Sequence, residues 1–393
     1  MVYISALGAI NSLGKDIDQI RETLTHNYDS PHYLTEDNHW LLHEKSSWFG
    51  KVHHPLPELP DNLVRFISRN NRLLYASYLQ IESEIQYAIE KYGRQRIAVI
   101  LGTSTSGIHE GDLAVKHYLT TQQLPEGYYY NQQELGDPAC FLATLLDLQG
   151  PAYTISTACT SSARAIISGK RLIETGIVDA AIVGGADSLS RMPINGFAAL
   201  ESISDKPCMP FAQHRNGINI GEAGALFLLT KEPNCDIAIL GIGESSDAYH
   251  ISAPHPEGIG AEKAMAMALD NAGLKANDIG YINLHGTATP LNDQAESKAV
   301  YRLFHQYNTV CSSTKHLTGH TLGTAAATEL VISYLLLEKN IPLPQQSFLL
   351  SPFDPKLDKI AIVTQTMELE KPVIMSNSFA FGGNNVSLII GKK

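Results

Sequence analysis

The sequence predicts a layered α/β fold. Three observations carry this: short Val/Ile-rich runs suited to strands covered on both faces, helix-length amphipathic stretches between them, and a weak internal echo. The strand candidates, in order, are RIAVILG (96–102), DAAIVGGA (179–186), ALFLLT (225–230), CDIAILGIG (235–243), IGYINLHG (279–286) and VSLIIG (386–391). The helix candidates include 69–93 and 261–273; in the first, Leu73, Leu74, Ala76, Leu79, Ile81 and Ile85 give an apolar side and Gly93 a C-terminal stop. In the echo, VILGTSTSG (99–107) and INLHGTATP (282–290) both run from a strand into a Gly-Thr-X-Thr turn. Downstream of each lies a helix rich in small residues, STACTSSARAIISG (156–169) and STKHLTGHTLGTAAATELVISYLL (313–336). Two similar halves meeting around residue 235 would account for this, although strand–Gly–Thr turns are common enough to coincide. Residues 31–60 and 109–150 read as insertions lying over the shared body.

Composition narrows the function classes. The chain has 393 residues, 44% hydrophobic and 18% charged, so it can bury a large core and is not disordered over most of its length. Its formal net charge of −11 makes it a poor general partner for nucleic acid or an anionic membrane. No apolar run approaches the roughly 20 residues a membrane helix needs. The N-terminal residues show no signal-peptide pattern. Five scattered cysteines, 140, 159, 208, 235 and 311, form neither a disulfide framework nor a zinc pattern. The expectation is a soluble, cytoplasmic protein whose cysteines are thiols.

The chemistry-bearing residues are few. Cys159 in TISTACTSSARAIISG falls where a strand gives way to a helix, and a helix N-terminus favours thiolate and can hold a developing oxyanion. Small neighbours, Ala158, Thr160, Ser161, Ser162 and Ala163, would let an acyl chain reach the sulfur; a buried, inert thiol is the plainer alternative. His285 ends a strand in INLHGTATPLND, and His320 lies in TKHLTGHTLGTAAATE; Gly, Ala and Thr leave room beside both rings. No carboxylate stands at metal-ligand spacing from either, so no metal is expected, and His316 carries no specific signal. Lys315 and Glu329 are either a buried pair ordering the histidine loop or two solvated helix-end charges. In SNSFAFGGNNVSLIIG, Gly382-Gly383 permits a tight turn whose N–H groups point inward, or a hairpin into the last strand. Neither this pair nor GIGESS (241–246) follows a phosphate-loop pattern, and no cofactor is expected.

TACTSSA, MPFAQHRNGINIGEAGALFLL, HGTATPLND, KHLTGHTLGTAAATE and NSFAFGGNN, in that order from about residue 2 to 391, resemble the elongating β-ketoacyl-acyl-carrier-protein synthases with a Cys-His-His site. The resemblance implies a thiolase-like fold: two pseudo-repeated halves, 1–234 and 235–393, forming a five-layered α-β-α-β-α body, usually dimeric. It implies that Cys159 takes an acyl group from a carrier thioester, and that His285 and His320 hold the malonyl thioester carbonyl and promote loss of CO2. It also implies an oxyanion hole from the N–H groups of Cys159 and Phe381, a gate at Phe381, and a supporting network of Lys315, Glu329 and Asp293.

RFISRNNR resembles the carrier-docking stretch, with Arg65, Arg69 and Arg72 at i, i+4 and i+7, and Lys206 as a lesser candidate. The implied partners are an acyl carrier protein, acyl and malonyl thioesters, and a second copy or a related ketosynthase-like subunit. The alternative function is the non-catalytic, chain-length-determining partner of a heterodimer. Departures from the family pattern stand at Ala380 and Asn384, where Gly and Thr are common, and at Thr160. With the poorly matching 31–60 and 109–150, they suggest a specialised pathway, such as aryl-polyene or type II polyketide assembly.

Overall fold

A computed structural model describes residues 1–26, 33–232, 235–338 and 341–392. Within it, the first half contributes five strands in chain order: Val2–Ile10, Ile97–Gly102, Ala152–Ile155, Ala180–Asp187 and Ala223–Thr230. The second contributes Ile237–Ser246, Tyr281–Asn283, Val310–Ser312, Val373–Phe379 and Asn384–Lys392. Across the sheet, each half runs third–second–fourth–fifth–first. In each, the second strand pairs parallel with the third and fourth, and the fifth pairs antiparallel with the fourth and the first. The echo is therefore a repeated topology, and its two Gly-Thr turns follow equivalent second strands. The halves join where their first strands pair, Val2 with Ile239 and Tyr3 with Ala238, and Ala361–Ile362 extends one edge. The expected division at 234/235 borders on residues 233–234, which lie outside the described residues.

Side-chain alternation builds the layers. In Ala180–Asp187, Ala181 and Val183 face a central core while Ala180 and Ile182 face an outer one; Leu388 and Ile390 likewise face inward and Ile389 outward. The central layer is made by helices Ser161–Glu174 and Ala325–Leu337. The latter is buried at every residue except Tyr334, as a helix enclosed between two sheets must be. Helices Arg69–Leu79, Glu82–Tyr92 and Asp137–Leu145 cover one outer face, and Ile259–Ala272 with Pro290–Phe304 cover the other. This is the five-layered thiolase-like arrangement.

Some elements differ from expectation. The helix predicted over 69–93 breaks at Gln80–Ile81, because the Gln80 amide turns to the first strand, accepting from Ala9 N–H at 3.2 Å and donating to Ala9 O at 2.9 Å. Gly93 does end the second piece, at φ +82°. Residues 137–145 are not an overlying insertion, since Phe141 and Leu142 are fully buried in the outer core. Helix Ile108–Thr121 does lie outside, with Leu119 and Val115 exposed. Of 31–60, residues 31–32 are outside the described ones; the rest holds a short hairpin, Thr35–Asp37 with Ser47–Phe49.

The three arginines also do not share one helix. Arg65 lies in a 3-10 segment, Asp61–Phe66, and stacks over Phe66, while Ser68 caps the helix that begins at Arg69. Arg69 turns inward to the buried Glu222, and Arg72 pairs with Glu58.

Candidate active site

Cys159 sits at an elbow between the third strand of the first half and the central helix. Ala158 occupies the left-handed region at φ +52°, an uncommon state for a residue with a Cβ, and local bonds hold it there. Thr157 N–H donates to Ser161 Oγ at 2.9 Å, Thr160 Oγ to Thr157 O at 2.8 Å, and Ser378 Oγ to Cys159 O at 2.8 Å. Burial pushes the thiol up to about 11, against the opposing pull of Lys315 and of the Phe381 and Cys159 N–H groups. The expected thiolate-favouring effect of the helix N-terminus is thus present in the N–H groups, but desolvation outweighs it.

The second half delivers two histidines to the same point. His320 Nε2 lies 3.0 Å from Cys159 Sγ, and its Nδ1 accepts the Leu322 N–H at 3.2 Å. A neutral imidazole whose Nδ1 is an acceptor carries its proton on Nε2, so His320 presents a donor to the sulfur. His285 meets His320 edge-on, with ring centroids 5.5 Å apart. Both rings are held well below the ordinary histidine range by burial, then by the nearby Lys315 charge, so they are neutral. The three ligand-capable atoms lie within 4.8 Å of one another, but a metal would need the His320 lone pair where the N–H now points.

Backbone anchors fix both rings. Glu296 accepts His285 N–H at 2.8 Å and Gly286 N–H at 2.7 Å, and burial raises its carboxyl to about 7. Lys315 Nζ donates to His285 O at 2.5 Å and pairs with Glu329, both side chains being buried. The chain breaks into Lys315–Thr318, a turn through Leu322 at φ +51°, and helix Ala325–Leu337, which folds Glu329 back onto Lys315. That settles the choice between pair and solvated charges in favour of the pair. Asp293 bonds elsewhere: it accepts from Phe211 N–H at 2.7 Å and Ala288 N–H at 3.2 Å, holding the turn after His285.

Phe381 stands at the mouth, its ring 5.5 Å from Phe197. Its turn needs Gly382 at φ +86° and Gly383 at φ +76°, with Gly382 N–H bound to Ile251 O at 2.7 Å. A cavity of about 280 Å³ opens there onto Cys159, His285 and His320, walled by Thr287, Leu291 and Phe381. His316 is half-buried and lies outside this cluster. Glu296 and Glu222 were not singled out from sequence; the usable signal was an acid eleven residues past His285, on the helix that Pro290 starts.

The description "Beta-ketoacyl synthase, N-terminal domain" matches residues 2–234, and "Beta-ketoacyl synthase, C-terminal domain" matches 237–348. The chain belongs to the β-ketoacyl synthase family. It is 27% identical to the 3-oxoacyl-[acyl-carrier-protein] synthase 2 of Staphylococcus aureus strain COL, over all of this chain and 98% of that one. Its structure is similar to a chain of the complex of a ketosynthase, ApeO, with its chain length factor, ApeC, from Xenorhabdus doucetiae. The TM-score is 0.96 and the identity 56%, covering 100% of this chain and 98% of that one. A β-ketoacyl synthase from Burkholderia phymatum is 26% identical with a TM-score of 0.87, covering 100% and 99%. Among the described residues, no helix is long and apolar enough to cross a membrane.

Proposed function

We propose that this β-ketoacyl synthase performs decarboxylative Claisen condensation with Cys159 as nucleophile and His285 and His320 as the decarboxylating pair. The observation that carries this is the Nε2–H of His320 at 3.0 Å from Cys159 Sγ, with a second neutral imidazole beside it. In the first stage, the Cys159 sulfur attacks the thioester carbonyl of an acyl carrier protein. The carrier thiol leaves with a proton and Cys159 becomes a thioester; the N–H groups of Cys159 and Phe381 bind the tetrahedral oxyanion. In the second stage, malonyl thioester enters past Phe381 and its carbonyl oxygen accepts N–H bonds from both imidazoles. Loss of CO2 places negative charge on that oxygen, so neutral donors favour the transition state over the ground state. The enolate carbon attacks the acyl-Cys159 carbonyl, the sulfur departs and takes a proton, and the β-ketoacyl carrier leaves two carbons longer.

Lys315, Glu329 and Asp293 act as supports, holding the turns that carry the two histidines. Arg65 is exposed and Arg72 half-buried on the outer face, where carrier docking is expected; Lys206 is exposed. The likeness to a chain of a ketosynthase–chain length factor complex supports a related subunit as partner. The departures at Thr160, Ala380 and Asn384 carry the reading of a specialised pathway such as aryl-polyene assembly, and a cytoplasmic location belongs to the same reading. The boundary between the halves is placed at 234/235. The non-catalytic partner reading is disfavoured, because a chain that did no chemistry would have no need of this donor geometry at Cys159. Turnover of saturated and polyunsaturated acyl carriers, with and without a chain length factor, tests the pathway. Preference for polyunsaturated chains is expected; equal or better use of saturated ones contradicts it.

A further inference from the structure

Arg69, expected from sequence to dock the carrier, has a different setting. Its Nε donates to Glu222 Oε2 at 2.7 Å and its Nη2 to Glu222 Oε1 at 2.5 Å, a two-pronged clamp on a carboxylate that is 1% exposed. The same carboxylate accepts Val52 N–H at 3.0 Å and Leu189 N–H at 3.3 Å, so Glu222 is the knot joining three separate chain segments. Its own backbone belongs to the segment that holds His320: His320 N–H donates to Asn219 O at 2.6 Å, and Gly221 N–H donates to His320 O at 2.9 Å. On the other side of that segment, Glu222 N–H donates to Gly50 O at 2.9 Å and Gly50 N–H to Ile220 O at 2.9 Å. The fit is close: a Cβ at Gly221 would come within 2.2 Å of Thr318 O, two residues before His320.

We infer that Arg69 is a positioning residue for His320, acting through Glu222 and the Asn219–Glu222 backbone rather than through the carrier. The inference rests on the condensing-enzyme reading above. Losing Arg69 leaves Glu222 a buried carboxylate without its countercharge, and the segment relaxes. The His320 Nε2–H then loses its aim at the sulfur and at the malonyl oxygen. Displacements of about 1 Å at a reacting group cost on the order of 100-fold in rate.

The test uses the full chain, with its partner subunit where activity requires one, and compares Arg69→Ala, Arg69→Lys and wild type. Each is assayed with carrier-bound substrates and with N-acetylcysteamine thioesters, which have no carrier to dock. Positioning predicts kcat lower by roughly 10- to 100-fold on both substrate types for Arg69→Ala, with KM little changed. Arg69→Lys, which keeps the charge but not the fork, falls between. A rise in KM confined to carrier-bound substrate, with kcat intact, overturns the inference and restores docking. So does an Arg69→Lys enzyme equal to wild type, whether or not Arg69→Ala folds. The rate of Cys159 alkylation by iodoacetamide separates this from the parent reading, since it needs no turnover. A wild type that forms no β-ketoacyl product sinks the parent reading. An alkylation rate unchanged in both variants sinks the role of Arg69.

Discussion

The two halves of the molecule share one strand order and do different work at the same place in it. After its third strand, the first half makes a short elbow at Ala158 and a regular helix, Ser161–Glu174, which puts Cys159 and its N–H groups at the centre. After its third strand, the second half breaks into Lys315–Thr318, a left-handed turn and Ala325–Leu337, which puts His320 opposite. A nucleophile needs small neighbours and a helix start, and both can be written in a continuous run of sequence. A pair of neutral donors needs rings fixed in tautomer and tilt, and that takes partners beyond one continuous run: the Leu322 N–H, the Asn219 carbonyl from the other half and the Glu296 carboxylate. The repeat supplies two equivalent crossovers; in the proposed mechanism one takes the acyl group and the other presents the N–H donors.

The sharpest way to break this division is to remove one side at a time. Cys159→Ala should abolish transfer of an acyl group from the carrier, lowering condensation by roughly 10⁴-fold or more. His285→Ala or His320→Ala should lower condensation by about 10²- to 10³-fold while still permitting acyl loading on Cys159. Stopped assays that score acyl-enzyme and CO2 separately would show this, and loss of loading in both histidine variants would blur the division. Lys315→Met should destabilise the protein by about 3–5 kcal/mol, read in denaturant unfolding, because Glu329 is then buried without its partner. A loss under 1 kcal/mol would mean that the pair is dispensable to the second half.

pH sharpens the same contrast. The Cys159 thiol is raised to about 11 by burial, so its alkylation should climb through pH 9 without a plateau; a midpoint at or below 9 would contradict the geometry. The histidines move the other way, below the ordinary 6.5. As pH falls through 6.5, the unfolded chain takes up protons at these rings that the folded chain refuses, so their contribution to stability is lost on acidification. Each ring contributes up to about 1.4 kcal/mol per pH unit. Glu296 and Glu329, raised to about 7, act in the opposite sense over about pH 4.5 to 7, so the informative quantity is the difference between wild type and His320→Asn. The variant should show the shallower loss between pH 6.5 and 5. The smallest effect is expected at the gate: Ala380→Gly should change condensation by about two-fold, since Ala380 already sits outside the positive-φ positions of its turn.

Legibility in the sequence followed the same divide. Cys159, His285 and His320 could be read because each stands in a local run whose small residues point to space for a substrate, and the family motifs tied them together. The repeated halves could be read from two Gly-Thr turns. What was hidden depended on contacts across the chain. Gln80 breaks a helix whose apolar pattern runs on, because its amide serves a strand seventy-one residues away. Arg69 looked like one of three docking arginines at helical spacing, yet its partner, Glu222, lies 153 residues on. Glu296 reads as an ordinary helix acid until the strand end carrying His285 is laid against it. For the thiol, the thiolate-favouring helix N-terminus is visible in sequence and the depth of burial is not, so the sequence leaves an activated and a buried thiol both open.

The central claim is that one acyl group resides on Cys159 until the histidines of the other half act on malonyl thioester. Intact-protein mass spectrometry, after loading from acyl carrier and again after adding malonyl carrier, tests it most directly. A gain of one acyl group is expected, absent in Cys159→Ala, that discharges with malonyl carrier in the wild type and persists in His285→Ala. A gain located on another residue, or discharged equally well without His285, would contradict it.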